Sequence, residues 1–399
     1  MAARSGGSTS VGDPRPRIAS LDILRGVVMV LMALDHVRVF SGIPAGGRTV
    51  SLFFTRWVTH FCAPAFIFLA GVGIFLYGEK VGGRAGRGAL ARFLLVRGAW
   101  LVLLELTVIR FSWTFNFDYA HYALAGVIWV IGWCMILMAA LVYVPPALLG
   151  VLALVLVAGH DLMDSRFWDL ADTLKDRPLG GLWKLLYFGF AGDPISFAGT
   201  RLTVLYSLVP WIGVMALGYA FGRVVEWPSE RRRDFCLKLG AALTLGFLVL
   251  RLIDHYGDPV PWTTQRSPIF SVLSFFNVEK YPPSLDYLLV TLGPALVLFA
   301  FAPKLAARSR FLVTFGKVPL LFYVAHLFLL RYTSIPIAVM RFGAAAAFTP
   351  PPKGAGGSPE FPLWVTYAVW LVSLVLLYPL CRWYARLKAT KKSVWLSYL

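Results

Sequence analysis

The sequence predicts an all-α fold: a polytopic integral-membrane helical bundle of about ten transmembrane helices with both termini cytoplasmic. Three observations predict it. First, 58% of the 399 residues are hydrophobic and 15% are charged, with a mean hydropathy of +0.70. A soluble domain carries about 45–50% apolar and roughly 25% charged residues, so an ordinary soluble enzyme, a disordered chain and a small disulfide-stapled module are excluded. Second, the apolar residues gather into windows near the length of a span, about 20 residues. Third, the basic residues gather in alternate loops.

Taken in order, the windows are 20–41, 57–78, 89–111, 119–143, 145–160, 202–224, 236–254, 283–302, 311–332 and 363–385. The pair Pro145-Pro146 sets the short fifth window off by a tight hairpin. Pro210 kinks the sixth. Pro282 and Pro283 open the eighth, at first-turn positions where proline is tolerated. The first window carries Asp22, Arg25, Asp35 and His36 and has no small-residue cleavage site after it, so it reads as a retained helix and not as a signal peptide. The chain then divides into an N-terminal tail (1–19), a transmembrane domain (20–387) and a C-terminal tail (388–399).

The charge is +18, from 38 basic and 20 acidic residues. Basic residues mark the 1–19 tail, the 79–92 loop (Lys80, Arg84, Arg87, Arg92), the 225–238 loop, the 303–310 loop and the tail after 382. Loops 42–56, 161–201, 255–282 and 333–362 are longer and more acidic, and 161–177 alone holds Asp161, Asp164, Asp169, Asp172 and Asp176. The positive-inside rule puts the basic segments and both termini in the cytoplasm. A basic chain often signals nucleic acid, but that needs a soluble basic surface, so no nucleic-acid partner is expected; membrane lipids are. Cys62, Cys134, Cys236 and Cys381 have neither CxxC nor His spacing, and no metal is expected. The sequence shows no internal repeat, which weighs against transport.

Titratable groups inside spans are costly and mark function. At about 100° per residue, Arg25 and His36 lie about 60° and 40° from Asp22, so the three share one stripe of the first helix, with Asp35 roughly 100° from His36. Asp22 and Arg25 can pair at i, i+3; they read equally well as a structural pair at the interface. Counted from the cytoplasmic start of each span, His36, Glu105 and His326 fall at one depth on three odd-numbered helices. His60, His121 and Asp118 lie at outer ends of spans. The Gly-Arg loop GGRAGRG (82–88), with Arg84 and Arg87, suits phosphate binding and also suits an ordinary cytoplasmic loop.

Five segments resemble the catalytic-domain family of heparan-alpha-glucosaminide N-acetyltransferase, in its bacterial members: RIASLDILRGVVMVLMALDHVRVF (17–40), THFCAPAFIFLAGVGIFLYG (59–78), LYSLVPWIGVMALGYAFG (205–222), VEKYPPSLDYLLVTLGP (278–294) and FGKVPLLFYVAHLFLLR (315–331). Together they run from about 17 to 331. The resemblance implies a multi-spanning acyltransferase of the bacterial cytoplasmic (inner) membrane. Acetyl-CoA would bind from the cytoplasm, and the acetyl group would pass to an amino sugar or cell-envelope glycan on the other side. The motif DxxRG…H, similar to that of the broader acyltransferase-3 group, maps onto Asp22, Arg25, Gly26 and His36. In the lysosomal relative the catalytic histidine lies beyond this helix, which leaves His36 and His60 as alternatives here; the depth match with Glu105 and His326 favours His36. On this reading His36 deprotonates the acceptor or carries the acetyl group, Glu105 orients an imidazole, and His326 donates to the developing oxyanion. Asp22, Arg25, Arg84 and Arg87 would serve acetyl-CoA. The competing reading is a proton-coupled small-solute transporter or permease using the same residues as a relay. The sequence leaves room for a homodimer.

Overall fold

Apolar sequence of this kind folds as helix because a helix satisfies its own backbone hydrogen bonds where no water can. The computed structural model describes residues 19–43, 49–83, 85–164, 174, 180–189, 194–197, 199–348, 361–391, 393 and 396. Arg84, Asp169, Asp172, Asp176, the 1–18 tail and residues 349–360 lie outside the described residues. The chain order is α1 (Ala19–Phe40), then α2 (Val50–Trp57), which runs through a 3₁₀ turn (Val58–Phe61) into α3 (Cys62–Lys80). Next come α4 (Arg87–Leu104), which continues through a π turn (Glu105–Ile109) into α5 (Arg110–Thr114), and the hairpin of α6 (Val127–Leu141) and α7 (Pro146–Gly159). The second half holds α8 (Leu208–Val225), α9 (Ser229–Ile253), α10 (Pro268–Phe276), α11 (Leu285–Arg308), α12 (Arg310–Lys317), α13 (Pro319–Phe342) and α14 (Leu363–Thr390).

The fold is that of an all-α polytopic membrane protein. Among the described residues, seven helical segments are long and apolar enough to cross a membrane: Val50–Lys80, Pro146–Met163, Leu208–Val225, Ser229–Ile253, Leu285–Arg308, Pro319–Met340 and Leu363–Thr390. The other three expected spans coincide with α1, which carries four charged residues at Asp22, Arg25, Asp35 and Arg38, with the α4–α5 run, and with α6, which has 15 residues. The expected start at 119 moves to Val127 because Ala123–Ala125 forms a strand, β1. It pairs parallel with β3 (Thr200–Val204), which pairs antiparallel with β2 (Ile195–Phe197). These strands and α10 are too short for hydropathic periodicity to reveal.

Helices in lipid gain little from burying apolar surface against one another, so close packing through small residues does the joining. Reciprocal glycines do this at four crossings. A Cβ on Gly26 of α1 would lie 2.0 Å from the Leu312 carbonyl oxygen of α12, and one on Gly316 would lie 1.7 Å from the Asp22 carbonyl oxygen. A Cβ on Gly71 of α3 would meet the Met215 oxygen of α8 at 1.9 Å, and one on Gly218 would meet the Phe68 oxygen at 2.0 Å. Gly98 and Gly132 join α4 to α6, and Gly240 and Gly293 join α9 to α11, each glycine facing the other's carbonyl oxygen. The obstacle at every crossing is backbone, which no rotamer change relieves. Gly218→Val is therefore expected to destabilise the α3–α8 pair by about 3 kcal/mol, the upper part of the overpacking range, seen as a clear drop in melting temperature in detergent. Gly88→Ala, with nothing within 4 Å of the added atom, should leave the melt unchanged.

Candidate active site

The crossing of α1 with α12 fixes α1 against the following helix α13, and two imidazoles meet there. His36 Nδ1 lies 2.6 Å from His326 Nε2. The other nitrogen of His326, Nδ1, lies 3.0 Å from the Phe322 carbonyl oxygen one turn back in α13. A carbonyl only accepts, so His326 Nδ1 carries the proton and, in the neutral ring, Nε2 carries the lone pair. His36 Nδ1–H then donates to it, and the lone pair of a neutral His36 falls on Nε2. The backbone of α13 thus sets the tautomer of His36 through one intervening ring, a relay of the kind that orients catalytic imidazoles. His326 is fully buried and His36 half-buried. Trp113 of α5 stands edge-on to His36 at 5.2 Å, and Tyr323 stands edge-on to both rings, at 5.8 Å from His36 and 5.5 Å from His326.

On the N-terminal side of this pair lies a cavity of about 400 Å³ between α1, α3, α4, α6 and the start of α13. Arg25, Arg97, Tyr77, Phe93, Ile128 and Tyr323 are among its walls. Arg25 sits 3.7 Å from the Asp22 carboxylate, which fulfils the expected i, i+3 pair; Asp22 itself is buried. From Arg25 to His36 the helix rises about 16 Å. Tyr323 is a wall of the cavity and also touches the imidazoles, so one phenol ring stands between the two arginines' cavity and the histidine pair. A second cavity, about 320 Å³ and mostly apolar, lies one turn beyond the pair between α1, α13 and α14.

On the C-terminal side of His36 the neighbours are polar. Asp35 accepts from Arg38 Nη2 at 3.0 Å and from Thr59 Oγ1 at 3.1 Å. His60 is buried in the 3₁₀ turn, and both of its ring nitrogens lack a hydrogen-bond partner among the described residues. Its ring lies 5.4 Å from Tyr287, whose hydroxyl donates to the His60 carbonyl at 2.8 Å. Lys280 is buried at 6% exposure, with its ammonium 5.1 Å from the Tyr281 ring centroid.

Three expected roles are redrawn by this geometry. Glu105, expected to orient an imidazole, sits at the π turn, where its carboxylate accepts from the Ile128 and Trp129 amides at 3.0 and 3.1 Å. Those amides are orphan donors in the first turn of α6, and the Glu105 side chain satisfies both of them. Equal depth on two helices did not mean a shared face. His326, expected to donate to an oxyanion, spends both nitrogens on His36 and Phe322. Arg87, expected to serve acetyl-CoA, donates to the Tyr143 carbonyl at 2.9 Å and closes the end of the α6–α7 hairpin. Conversely, Arg97, Tyr323 and Lys280 escaped the sequence reading. Arg97 lies inside the 89–111 window, where its charge was an available signal; Tyr323 carries no charge to mark it within an apolar window, and Lys280 falls outside any span in a proline-rich turn.

A buried acidic network fixes that turn. Asp258 Oδ2 accepts from the Glu279 amide at 2.7 Å and from Ser284 Oγ at 2.8 Å, and Asp161 Oδ2 accepts from the Leu285 amide at 2.9 Å. Arg251 gathers the Phe275, Val260, Ser274 and Asn277 carbonyls. Nearby, Tyr187 Oη lies 2.5 Å from Asp164 Oδ1 and 2.9 Å from the His160 carbonyl. The phenol has one proton, for which the Asp164 carboxylate and the His160 carbonyl compete as acceptors. Burial pushes the Asp164 carboxyl up from its usual 3.8 to about 7, against the lowering effect of the Tyr187 hydrogen bond. Burial likewise raises Asp258, against its hydrogen bonds and Arg251. A carboxyl raised in the folded state binds its proton more tightly there than in the unfolded chain. Its contribution to stability is full below the unfolded value and is lost as pH rises through about 7. Asp164→Asn is expected to flatten the fall in melting temperature between about pH 4 and 7; an unchanged slope would remove Asp164 as its source.

Residues 17–249 match the family described as heparan-alpha-glucosaminide N-acetyltransferase, catalytic. The match covers more than half of the chain and contains His36, His60, Arg25 and Arg97. A comparison with curated proteins gave no match.

Proposed function

Since the chain belongs to the heparan-alpha-glucosaminide N-acetyltransferase catalytic family, a family of membrane acetyltransferases, we propose that it moves an acetyl group from cytoplasmic acetyl-CoA to an extracytoplasmic sugar or glycan across a bacterial inner membrane. The observation that carries this reading is the cavity that joins Arg25 and Arg97 to Tyr323, and through Tyr323 to the His36–His326 pair. Guanidinium groups pair well with phosphates, which suits the polyanionic end of CoA, and the apolar walls suit its pantetheine arm. The tails 1–19 and 388–399 lie on the cytoplasmic side in this scheme, with the arginine end of the cavity.

The chemistry follows from the tautomer. His36 Nε2 takes the proton of the acceptor as the acceptor atom bonds to the thioester carbon. The C–S bond then breaks, and CoA leaves as the thiolate that takes up a proton. His326 shares the positive charge that His36 gains, through their hydrogen bond. Tyr323 must swing aside for the thioester to reach His36, so both substrates meet behind a moving ring. His60, buried with two unpartnered ring nitrogens, is assigned to the acceptor side in this scheme. A thermal-shift titration tests the donor. Acetyl-CoA at 100 times its Kd should stabilise the purified protein by about 2.7 kcal/mol through mass action, and a melt unmoved by acetyl-CoA would count against the reading.

A further inference from the structure

The histidine pair sits in a seam between α1 and α13, and the two cavities lie at the two ends of that seam. At about 100° per residue, Arg25 and Met29, which line the arginine cavity, fall within about 20° of His36 on α1. In the other direction Phe40 falls about 40° from His36, and Leu330, Thr333 and Ile337 fall within about 40° of His326 on α13. All four line the second cavity. The same helix faces therefore carry, in order, the arginine cavity, the two imidazoles and the apolar cavity. Acetyl-CoA takes the first in the scheme above, which leaves the second as the seam's approach for the acceptor. Its walls suit a hydrocarbon chain. Ile337 of α13 and Val369 and Val372 of α14 line it and are themselves 40%, 36% and 56% exposed, so the cavity opens sideways between two spans onto the lipid-facing surface. The hydroxyls of Thr333, Ser334 and Ser373 in its wall donate to the Leu329, Arg331 and Val369 carbonyls of their own helices at 2.9, 2.9 and 2.7 Å. Arg331 Nη2 donates to the Ala347 carbonyl at 2.7 Å. These protons are spent within the protein, and a free sugar that gave up its water there would lack donors to replace it.

We infer, resting on the acetyl-transfer reading above, that the acceptor is a lipid-borne glycan whose hydrocarbon chain enters from the bilayer between α13 and α14 and lies in this groove, with its sugar directed along the seam to His36. The transfer balances as before. The acceptor N–H or O–H proton passes to His36 Nε2, the acceptor atom bonds to the acetyl carbon, and the C–S bond breaks to release CoA, which takes up a proton as the thiol. The chain supplies binding away from the reacting atoms, which lowers KM. A free glycoside offers only the headgroup and is a substrate of higher KM.

The test compares two acceptors that differ only in their chain. Purified full-length protein in lipid nanodiscs receives radiolabelled acetyl-CoA with methyl glucosaminide or dodecyl glucosaminide, and kcat/KM is measured for each. Wild type should favour the dodecyl glycoside by about tenfold or more. Partition of that glycoside into the disc raises the ratio by itself, so the groove is probed by filling it. Ala368→Trp and Val372→Trp each put an indole into the groove from an exposed position of α14, and each should lower the ratio about fivefold or more. Leu371→Trp adds the same ring at a neighbouring position that is 55% exposed and outside the groove wall, and should keep the ratio within about twofold of wild type. Poor folding would lower both rates together and leave the ratio unmoved. A wild type without preference, a ratio unmoved in both filled variants, or no transfer to the dodecyl glycoside from a protein that binds acetyl-CoA would each overturn the inference and leave the groove to bilayer lipid. Failure to bind acetyl-CoA in the same preparation would instead remove the reading on which it rests.

Discussion

His36→Ala is expected to lower acetyl transfer by about 10²- to 10⁴-fold, the span that a positioned general base supplies, while its thermal stabilisation by acetyl-CoA stays that of the wild type. The split matters because Tyr323 stands between His36 and the arginine cavity, so the proposed function assigns binding and chemistry to different residues. His326→Ala should lose most of the same activity although its ring touches no substrate, because the His36 tautomer is no longer set by the Phe322 carbonyl. His60→Ala should lose far less. If His60→Ala proved the inactive variant and His36→Ala retained full activity, the roles of the two histidines would be exchanged.

The second large effect belongs to Arg97. A charge-assisted hydrogen bond is worth about 1.5–3 kcal/mol, so Arg97→Ala should raise the Kd for acetyl-CoA roughly 10- to 100-fold. Arg25→Ala should act in the same direction, with some loss of stability as well, because it leaves buried Asp22 without its partner at 3.7 Å. Isothermal titration with acetyl-CoA checks both. Unchanged affinity in both variants would place the CoA phosphates elsewhere.

Much of the scaffold was legible because hydropathy and spacing report it directly. The stripe of Asp22, Arg25 and His36 on α1 follows from helical geometry alone, and the depth count brought His36 and His326 to one level, where they meet at 2.6 Å. Glu105 shows where depth runs out. It shares that level, yet it turns toward the amides of α6, and no one-dimensional count contains the rotation of one helix about its axis relative to another. The glycines of the resembling segments were legible as motif and illegible as mechanism. Gly26 and Gly316, or Gly71 and Gly218, are far apart in sequence, and only the assembled backbone reveals that the facing helix fills the space a Cβ on each would need. Lys280 lay beyond reach for a related reason, because the turn that holds it is fixed in part by Asp161, which comes from another loop.

Sealed membrane vesicles with the cytoplasmic face outward test whether the acetyl group crosses the membrane. Radiolabelled acetyl-CoA is added outside, a glycoside acceptor is loaded inside, and the label in the lumen is identified. Acetylated glycoside is expected inside and CoA outside, with no luminal product from His36→Ala. Entry of the glycoside or another solute coupled to protons, with no acetylated product and no dependence on acetyl-CoA, would contradict it and identify a transporter instead.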